Sequence, residues 1–158
     1  MFNFKKIIYL TLTILIVCFI FYNSLQNGTS SSNASDFVLN FLNDIFKNIG
    51  LNFYLTGHMV RKTAHFVEFF VFGFFVMLTF NEFNKKTFSA LGFPMFFAIF
   101  IPVVDEFIQL YSVGRSSSVK DVLLDFSGAM TGILMVATFI WLINKKRRKN
   151  KYRYTYNF

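Results

Sequence analysis

The sequence predicts an all-α protein, a polytopic membrane protein folded as a four-helix transmembrane bundle in one domain of residues 1–158. Hydrophobic residues make up 54% of the chain and charged residues only 15%, which is richer in apolar side chains than a typical soluble domain. Phenylalanine alone accounts for 25 of the 158 residues, more rings than a soluble protein of this size can bury. Long apolar runs at about 7–22, 64–80, 88–110 and 122–143 account for the excess and predict four spans.

The first run follows Lys5 and Lys6, a pattern that is also typical of a cleaved signal peptide. No small-x-small cleavage site follows, because residues 23–28 read Asn-Ser-Leu-Gln-Asn-Gly. We therefore expect an uncleaved first span. Residues 27–35 are rich in Gly, Ser, Asn and Thr, a composition that predicts a linker.

Residues 36–49 have the pattern of an amphipathic helix between spans one and two. Ser35 is its expected N-cap, and Gly50 stands where a C-cap belongs. The segment is too short and too polar to span a bilayer. It is expected either in the outer interface or as a cover over the outer end of the bundle. Its apolar stripe consists of Phe37, Val38, Phe41, Leu42, Ile45, Phe46 and Ile49.

The remaining elements are two further turns, two further spans and a tail. Residues 81–86 form a short polar turn before the third span, which contains Pro94 and Pro102, and proline is tolerated in membrane helices. A polar loop at 111–120 leads into the fourth span, and a basic tail occupies 144–158. No internal repeat is evident.

The distribution of basic residues predicts the orientation. If the N-terminus lies inside, most of the 16 lysines and arginines fall on the inner side, including the run at 145–149. Both termini are therefore predicted to be cytoplasmic. The net charge of +8 is concentrated in this tail, where it favours contact with anionic lipid. Nucleic acid is not an expected partner, because no nucleic-acid-binding module accompanies the tail.

This topology brings three groups of ionisable residues to the outer ends of the spans. Residues of one group that lie three or four apart share a helix face. Charges at membrane depth are costly and usually mark function. The groups are His65 with Glu68, then Asp105, Glu106 and Gln109, then Asp121 with Asp125, and they are flanked by Arg61 and Arg115.

Two kinds of chemistry suit this set of residues. The first is acid–base catalysis, for which the candidate groups are His65, Glu68, Asp105 and Glu106. The second is ligand binding, for which the candidates are Arg61, Gln109, Arg115, Asp121 and Asp125, the arginines being suited to an anionic headgroup.

Other interpretations of the same residues compete with these. A structural network of ion pairs between helices, such as Arg115 with Asp121, needs no further purpose. Metal binding by His65 and the acids is a third kind of chemistry that this set can support. It is the less favoured one, because a single histidine lies among the acids and no HExxH-like spacing is present. His58 is expected to be a solvated loop residue. No nucleophile-elbow motif surrounds the serines at 116–118, which makes a catalytic serine a weak hypothesis.

Small residues continue the face of the fourth span on which Asp125 lies. Gly128 and Gly132 follow it at i+3 and i+7. Small residues allow a neighbouring helix to approach closely. This stripe therefore predicts that the fourth helix turns its acid-and-glycine face inward.

Taken together and in order, these motifs resemble those of the VanZ-like family of bacterial membrane proteins. The segment at 21–26 also resembles the end of that family's first span. Two departures are Phe69, where the family often has tyrosine, and Val113, where a proline often precedes the Gly-Arg pair. The motifs are Arg61-Lys62-x-Ala64-His65-Phe66-x-Glu68, Asp105-Glu106-x-x-Gln109, and Gly114-Arg115 with Asp121 and Gly128 downstream.

The resemblance implies a four-span protein of the bacterial cytoplasmic membrane. The family's namesake is associated with low-level resistance to teicoplanin. The resemblance, together with the charged motifs that share one side of the membrane, leads to a first hypothesis: the protein lowers susceptibility to glycopeptide antibiotics through an outward-facing polar pocket. The ionisable residues themselves keep a second hypothesis open, an enzyme acting by acid–base chemistry on a lipid-linked or lipid headgroup substrate.

A scaffold or a small transporter is a third hypothesis, and the lack of a repeat argues against the transporter. The expected partners are membrane lipid and either a lipid-linked cell-wall precursor or a glycopeptide. The sequence leaves the cofactor open.

Overall fold

The computed structural model describes residues 4–50, 54–83 and 91–155, in which every ordered element is an α-helix. The all-α prediction is confirmed. The helices in chain order are α1 (Phe4–Leu25), α2 (Gly28–Asn48), α3 (Gly57–Phe83), α4 (Gly92–Gln109) and α5 (Val119–Thr155).

Four of these helices are long and apolar enough to cross a membrane. They are α1, α3, α4 and the Val119–Lys149 part of α5. The remaining helix, α2, lies between the first two spans, as predicted. With four such spans, the chain is a multi-pass membrane protein. The helices α1, α3 and α5 extend beyond their predicted spans, because polar residues at a helix end can continue the helix outside the hydrocarbon layer. Pro94 lies in the first turn of α4 and Pro102 lies inside it.

The predicted linker at 27–35 is wrong for all but its first residue. The helix α2 begins at Gly28, and Asn27 is the N-cap in place of Ser35. The Asn27 side chain accepts a hydrogen bond from the Ser30 amide at 2.9 Å, which satisfies one of the free amides of the first turn. Ser35 Oγ instead donates to the Ser31 carbonyl, a bond that lets a serine lie within a helix.

The other end of α2 agrees with the prediction. Gly50 has a φ of 76° and follows the C-cap residue Ile49. A glycine in this left-handed conformation commonly ends a helix, because it has no Cβ to clash with the preceding carbonyl. The turn at 81–86 falls partly outside the described residues, and its described part belongs to α3.

The helix α3 is the centre of the bundle, since it contacts each of the other four helices. Its buried face carries Phe69, Phe72 and Met77, each at most 1% exposed. These side chains pack against Ile20 of α1 and Ile133 of α5, among others. The charged first turns of α3 are therefore held against the rest of the protein by a continuous apolar core below them.

Glycines bring α3 and α5 into backbone contact. A Cβ on Gly73 would lie 2.0 Å from the Ala129 carbonyl oxygen, and one on Gly132 would lie 2.2 Å from that of Phe70. At Gly128 the corresponding distance to a carbonyl oxygen is 2.5 Å. The predicted inward-facing glycine stripe is confirmed. Because Asp125 continues this stripe, its side chain is placed inside the bundle next to α3.

Candidate functional site

Polar side chains from four helices meet at one end of the bundle. Asn23, near the end of α1, donates from Nδ2 to Glu68 Oε1 of α3 at 2.9 Å. Ser24 donates from Oγ to Asp105 Oδ1, near the end of α4. The Ser118 amide, just before α5, donates to Glu106 Oε2 at 2.9 Å. The ends of α1 and α4 and the beginnings of α3 and α5 therefore form one polar region.

Asp105 is fully buried and is held by two donors. Ser24 Oγ bonds to its Oδ1, and Gln109 Nε2 bonds to its Oδ2 at 2.8 Å. Gln109 lies one helical turn after Asp105, the relationship that makes such a bond possible within α4. These two contacts fix the orientation of the Asp105 carboxylate.

Asp125 is also fully buried, but its contacts are different. Neither carboxylate oxygen of Asp125 has a hydrogen-bond partner among the described residues, and His65 Nδ1 has none either. These two groups approach each other, with 3.9 Å between His65 Nδ1 and Asp125 Oδ1. One nitrogen or oxygen atom from each of His65, Asp105 and Asp125 lies within 4.8 Å of the other two. These three residues, from α3, α4 and α5, are called the three-helix cluster below.

A cavity of about 690 Å³ lies beside this cluster. Its lining comes from the end of α1, from α2, from the first turns of α3 and from Arg115. His65 belongs both to this lining and to the three-helix cluster, whereas Asp105 and Asp125 are not lining residues. Much of the wall is apolar, with a few charged groups, which is the usual character of a small-molecule site. The ionisable lining residues are Arg61, His65, Glu68 and Arg115.

The two arginines of this lining have free hydrogen-bonding capacity. Arg115 Nη2 donates to Ser31 Oγ at 2.9 Å, whereas its Nη1 is buried and has no partner in the described part of the chain. The same is true of Arg61 Nε. Burial lowers the pKa of Arg115, and the nearby Asp105 opposes this effect. The guanidinium remains a cation, because the ordinary pKa of an arginine side chain is far above neutral pH.

The loop that carries Arg115 is docked on the start of α2. Gly114 has a φ of 76°, and the Gly28 amide donates to the Val113 carbonyl at 2.9 Å. A Cβ on Gly28 would lie 2.3 Å from the Gly114 carbonyl oxygen. The close contact between these two glycines sets the position of Arg115 above the cavity.

Other residues proposed from sequence lie away from the cavity lining. Glu106 is buried and accepts from the Ser118 amide, so it connects α4 to the start of α5. Asp121 pairs with Lys62, which means that the proposed pair of Arg115 with Asp121 is wrong. His58 is exposed as expected, although it lies in the first turn of α3 and not in a loop.

Sequence reasoning missed the polar contribution of the first two helices. Asn23 and Ser24 hold two of the acids, and Ser31 of α2 holds Arg115. For α1, the sequence did contain a signal: Asn23 and Ser24 are polar residues at the end of an otherwise apolar run. No such signal existed for Ser31, because the segment around it has the composition of a linker.

Comparison with known proteins adds a family assignment. The VanZ/LLP1 family model matches residues 9–142, a range that contains every residue of the cavity lining and of the three-helix cluster. No curated protein and no solved structure matches the chain. The match extends over most of the chain, from α1 into the membrane-spanning part of α5, and the chain therefore belongs to the VanZ/LLP1 family.

Proposed function

We propose that this VanZ-like membrane protein binds an anionic lipid-linked or lipid headgroup substrate in its cavity and acts on it by acid–base chemistry. One observation carries the proposal. Arg61 and Arg115, each with a buried N–H group that has no partner among the described residues, line the same cavity as His65 and Glu68.

The unpartnered arginine groups favour an anionic ligand. A buried donor without a partner costs about 1–3 kcal/mol, and a ligand oxygen at that position would offset this cost. Guanidinium groups bind phosphate and carboxylate through charge-assisted hydrogen bonds, often two at a time. A phosphate-bearing headgroup therefore fits the donors that the cavity presents.

The apolar part of the lining favours a ligand attached to a lipid. Tyr22 and Val67 line the cavity and are 62% and 49% exposed, so this wall continues onto the outer face of the bundle. On α2, Phe37 and Phe41 are 76% and 60% exposed, as expected for an amphipathic helix in the interface. A headgroup can occupy the cavity while its chains remain in the bilayer.

The acid–base part of the proposal uses His65 and Glu68. They lie three residues apart on α3 and both line the cavity. Asn23 fixes one oxygen of Glu68, which leaves the other oxygen for a substrate proton. Asp105 and Glu106, the other acids considered from sequence, are each held by protein donors. They are better suited to positioning their neighbours.

Family membership favours a second candidate function, a reduction of susceptibility to glycopeptide antibiotics. In this version the cavity binds a lipid-linked cell-wall precursor, or the drug, at the outer face of the membrane. The two candidates share the cavity and its arginines. They differ in whether a lipid is converted.

A lipid profile of complemented deletion strains tests both candidates. The strains carry the wild type, Arg115→Gln, or Lys120→Gln at equal protein levels. Lys120 is a matched control because it is an exposed cation close to the same loop and lies outside the cavity lining. For each strain, lipid-linked precursors and glycopeptide susceptibility are measured.

If the enzyme proposal is correct, one lipid-linked species accumulates in the deletion strain and with Arg115→Gln, and the other two proteins remove it. Identical lipid profiles with altered susceptibility would reject the enzyme and support the second candidate. Profiles and susceptibility that are both unchanged would reject the two together.

A further inference from the structure

We propose that His65, Asp105 and Asp125 bind a divalent metal cation in the interior of the bundle. The proposal rests on the geometry of the three-helix cluster and does not depend on the substrate proposed for the cavity. With the ion bound, His65 is a ligand, and Glu68 is then the acid–base group of the cavity lining. Two separate observations point to a cation: the convergence of three ligand-type side chains, and a buried carboxylate that lacks a partner.

The first observation is the convergence itself. One ligand-type atom from each of the three residues lies within 4.8 Å of the other two. Metal–ligand bonds to histidine nitrogen and carboxylate oxygen are roughly 2.0–2.2 Å long, so ligands on one ion lie roughly 3–4.4 Å apart by that geometry. Small side-chain rotations therefore suffice for all three groups to surround one ion.

The second observation is that the buried carboxyl group of Asp125 lacks hydrogen-bond partners. It is 0% exposed, and both of its oxygens lack hydrogen-bond partners within the described residues. An isolated buried carboxylate is strongly unfavourable unless a cation or hydrogen-bond donors compensate its charge. Among the described residues, His65 is the only basic side chain that comes within ion-pair distance of Asp125, at 3.9 Å, and the contact is an ion pair only when the imidazole is protonated.

Three basic residues lie near the cluster, and none of them forms an ion pair with Asp125 in the described part of the chain. Lys62 of α3 pairs with Asp121, and Arg115 donates to Ser31. Arg61 lines the cavity, whereas Asp125 is not among the lining residues. A bound cation would therefore give Asp125 the direct partner that none of these side chains provides.

The ligand set indicates the kind of ion. One imidazole with two carboxylates suits Mn²⁺, Co²⁺ or Zn²⁺ better than an ion that prefers thiolates. Three protein ligands leave coordination positions open, as in catalytic zinc sites. Ser24 and Gln109 hold the Asp105 carboxylate in place, the arrangement by which proteins orient metal ligands. Because His65 also lines the cavity, an anionic ligand there would lie next to the ion.

Metal titration of the full chain, purified in detergent and treated with a chelator, tests the proposal. Free Mn²⁺ is followed by electron paramagnetic resonance, and Co²⁺ binding is followed by its visible absorption. We expect one high-affinity ion per chain. Asp125→Asn should weaken binding by more than the roughly 100-fold that loss of a residue orienting a ligand can cost. Gln109→Ala should weaken it by about 10–100-fold.

Asp121→Asn is the matched control, because Asp121 lies one turn from Asp125 on the same helix but pairs with Lys62. It should bind the ion as the wild type does. If Asp125→Asn does not fold, as judged by size-exclusion chromatography, His65→Gln takes its place.

Two outcomes would overturn the proposal: no binding by the wild type, or equal binding by the wild type, Asp125→Asn and His65→Gln. The second outcome would assign the ion to adventitious sites on the surface. Since the titration contains no lipid substrate, its failure would leave the proposed function standing. A failure of the lipid profile would likewise leave the cation site standing.

Discussion

Asn23 Nδ2 lies 2.9 Å from Glu68 Oε1 and donates a hydrogen bond to it. This bond joins the end of the first span to the charged start of α3. Gln26, which directly follows α1, is also part of the cavity lining. The first span is therefore a structural part of the site as well as a membrane anchor.

Replacing Asn23 by alanine should destabilise the protein. The change removes the hydrogen bond to the Glu68 carboxylate. The free energy of unfolding should fall by roughly 1 kcal/mol, the lower end of the cost of leaving a buried polar group without its partner. Denaturant titration in detergent micelles measures the change. Asn33→Ala, at an exposed position of α2, is the control and should not destabilise the protein. Equal losses from the two variants would show that the Asn23 bond contributes nothing specific.

Adding one methyl group between α3 and α5 should be costly. A Cβ at Gly73 or Gly132 would lie about 2 Å from a backbone carbonyl oxygen of the facing helix, so the helices must separate. Overpacking of this kind typically costs about 1–3 kcal/mol. We expect Gly73→Ala and Gly132→Ala to lower the unfolding temperature in detergent. Gly92→Ala is the control, because a Cβ at that position would have no neighbour within 4 Å. If Gly92→Ala lowered the unfolding temperature as much as Gly73→Ala, the packing argument would be wrong.

The helices and their inward faces could be predicted from sequence because both depend on local patterns. The apolar runs predicted the four spans, and the spacing of Asp125, Gly128 and Gly132 predicted which face of α5 is buried. The start of α2 could not be predicted, because Asn, Gly and Ser are common both in linkers and at helix starts. The bonds that fix the start are the cap from the Ser30 amide to Asn27 and a contact with a distant loop, from the Gly28 amide to Val113.

The partners of the charged residues could be predicted only in part. That the charged motifs share one end of the bundle follows from alternating spans. That Asp121 pairs with Lys62 and not with Arg115 depends on how α3 packs against α5. The three-helix cluster forms no recognisable sequence motif, because each of its three residues comes from a different helix.

Replacing Asp125 by asparagine should have opposite effects on stability with and without metal. In chelator-treated protein the change removes a buried carboxyl group that has no hydrogen-bond partner among the described residues, so the free energy of unfolding should stay equal or rise. With Mn²⁺ present, the wild type gains binding energy that Asp125→Asn lacks, so the wild type should be the more stable. Thermal unfolding in both buffers measures this. Strong destabilisation of the variant in chelator would mean that the carboxylate already has a compensating partner.

The geometry of the Arg115 side chain should matter as well as its charge. Arg115→Gln removes the cation and should weaken binding of an anionic phospholipid by at least about tenfold, since a charge-assisted bond contributes about 1.5–3 kcal/mol. Arg115→Lys keeps the charge but loses the planar pair of donors, so its affinity should be intermediate. Native mass spectrometry with anionic and zwitterionic lipids measures the difference, with Lys120→Gln as control. Equal affinity of Lys and Arg at this position would mean that charge alone decides.

The orientation of the bundle decides which side of the membrane supplies the ligand. The predicted topology places the polar end outside and the basic tail inside. Ser116 precedes α5 and Lys149 ends its membrane-spanning part, so the two positions are separated by about 45 Å of helix. In a Cys18→Ser background, a membrane-impermeant thiol reagent added to intact cells should label Ser116→Cys and leave Lys149→Cys unlabelled. Permeabilised cells provide the control, in which both positions should react.

The reverse labelling pattern would place the cavity on the cytoplasmic side. It would remove any direct route to a glycopeptide, which acts from outside the cell. It would leave the arginines, His65 and Glu68 facing the inner leaflet, so that an enzyme acting on a cytoplasmic lipid headgroup would become the better hypothesis. The expected pattern keeps both candidate functions open and gives each a substrate on the outer face. This labelling therefore determines from which leaflet the lipids for the binding measurements are chosen.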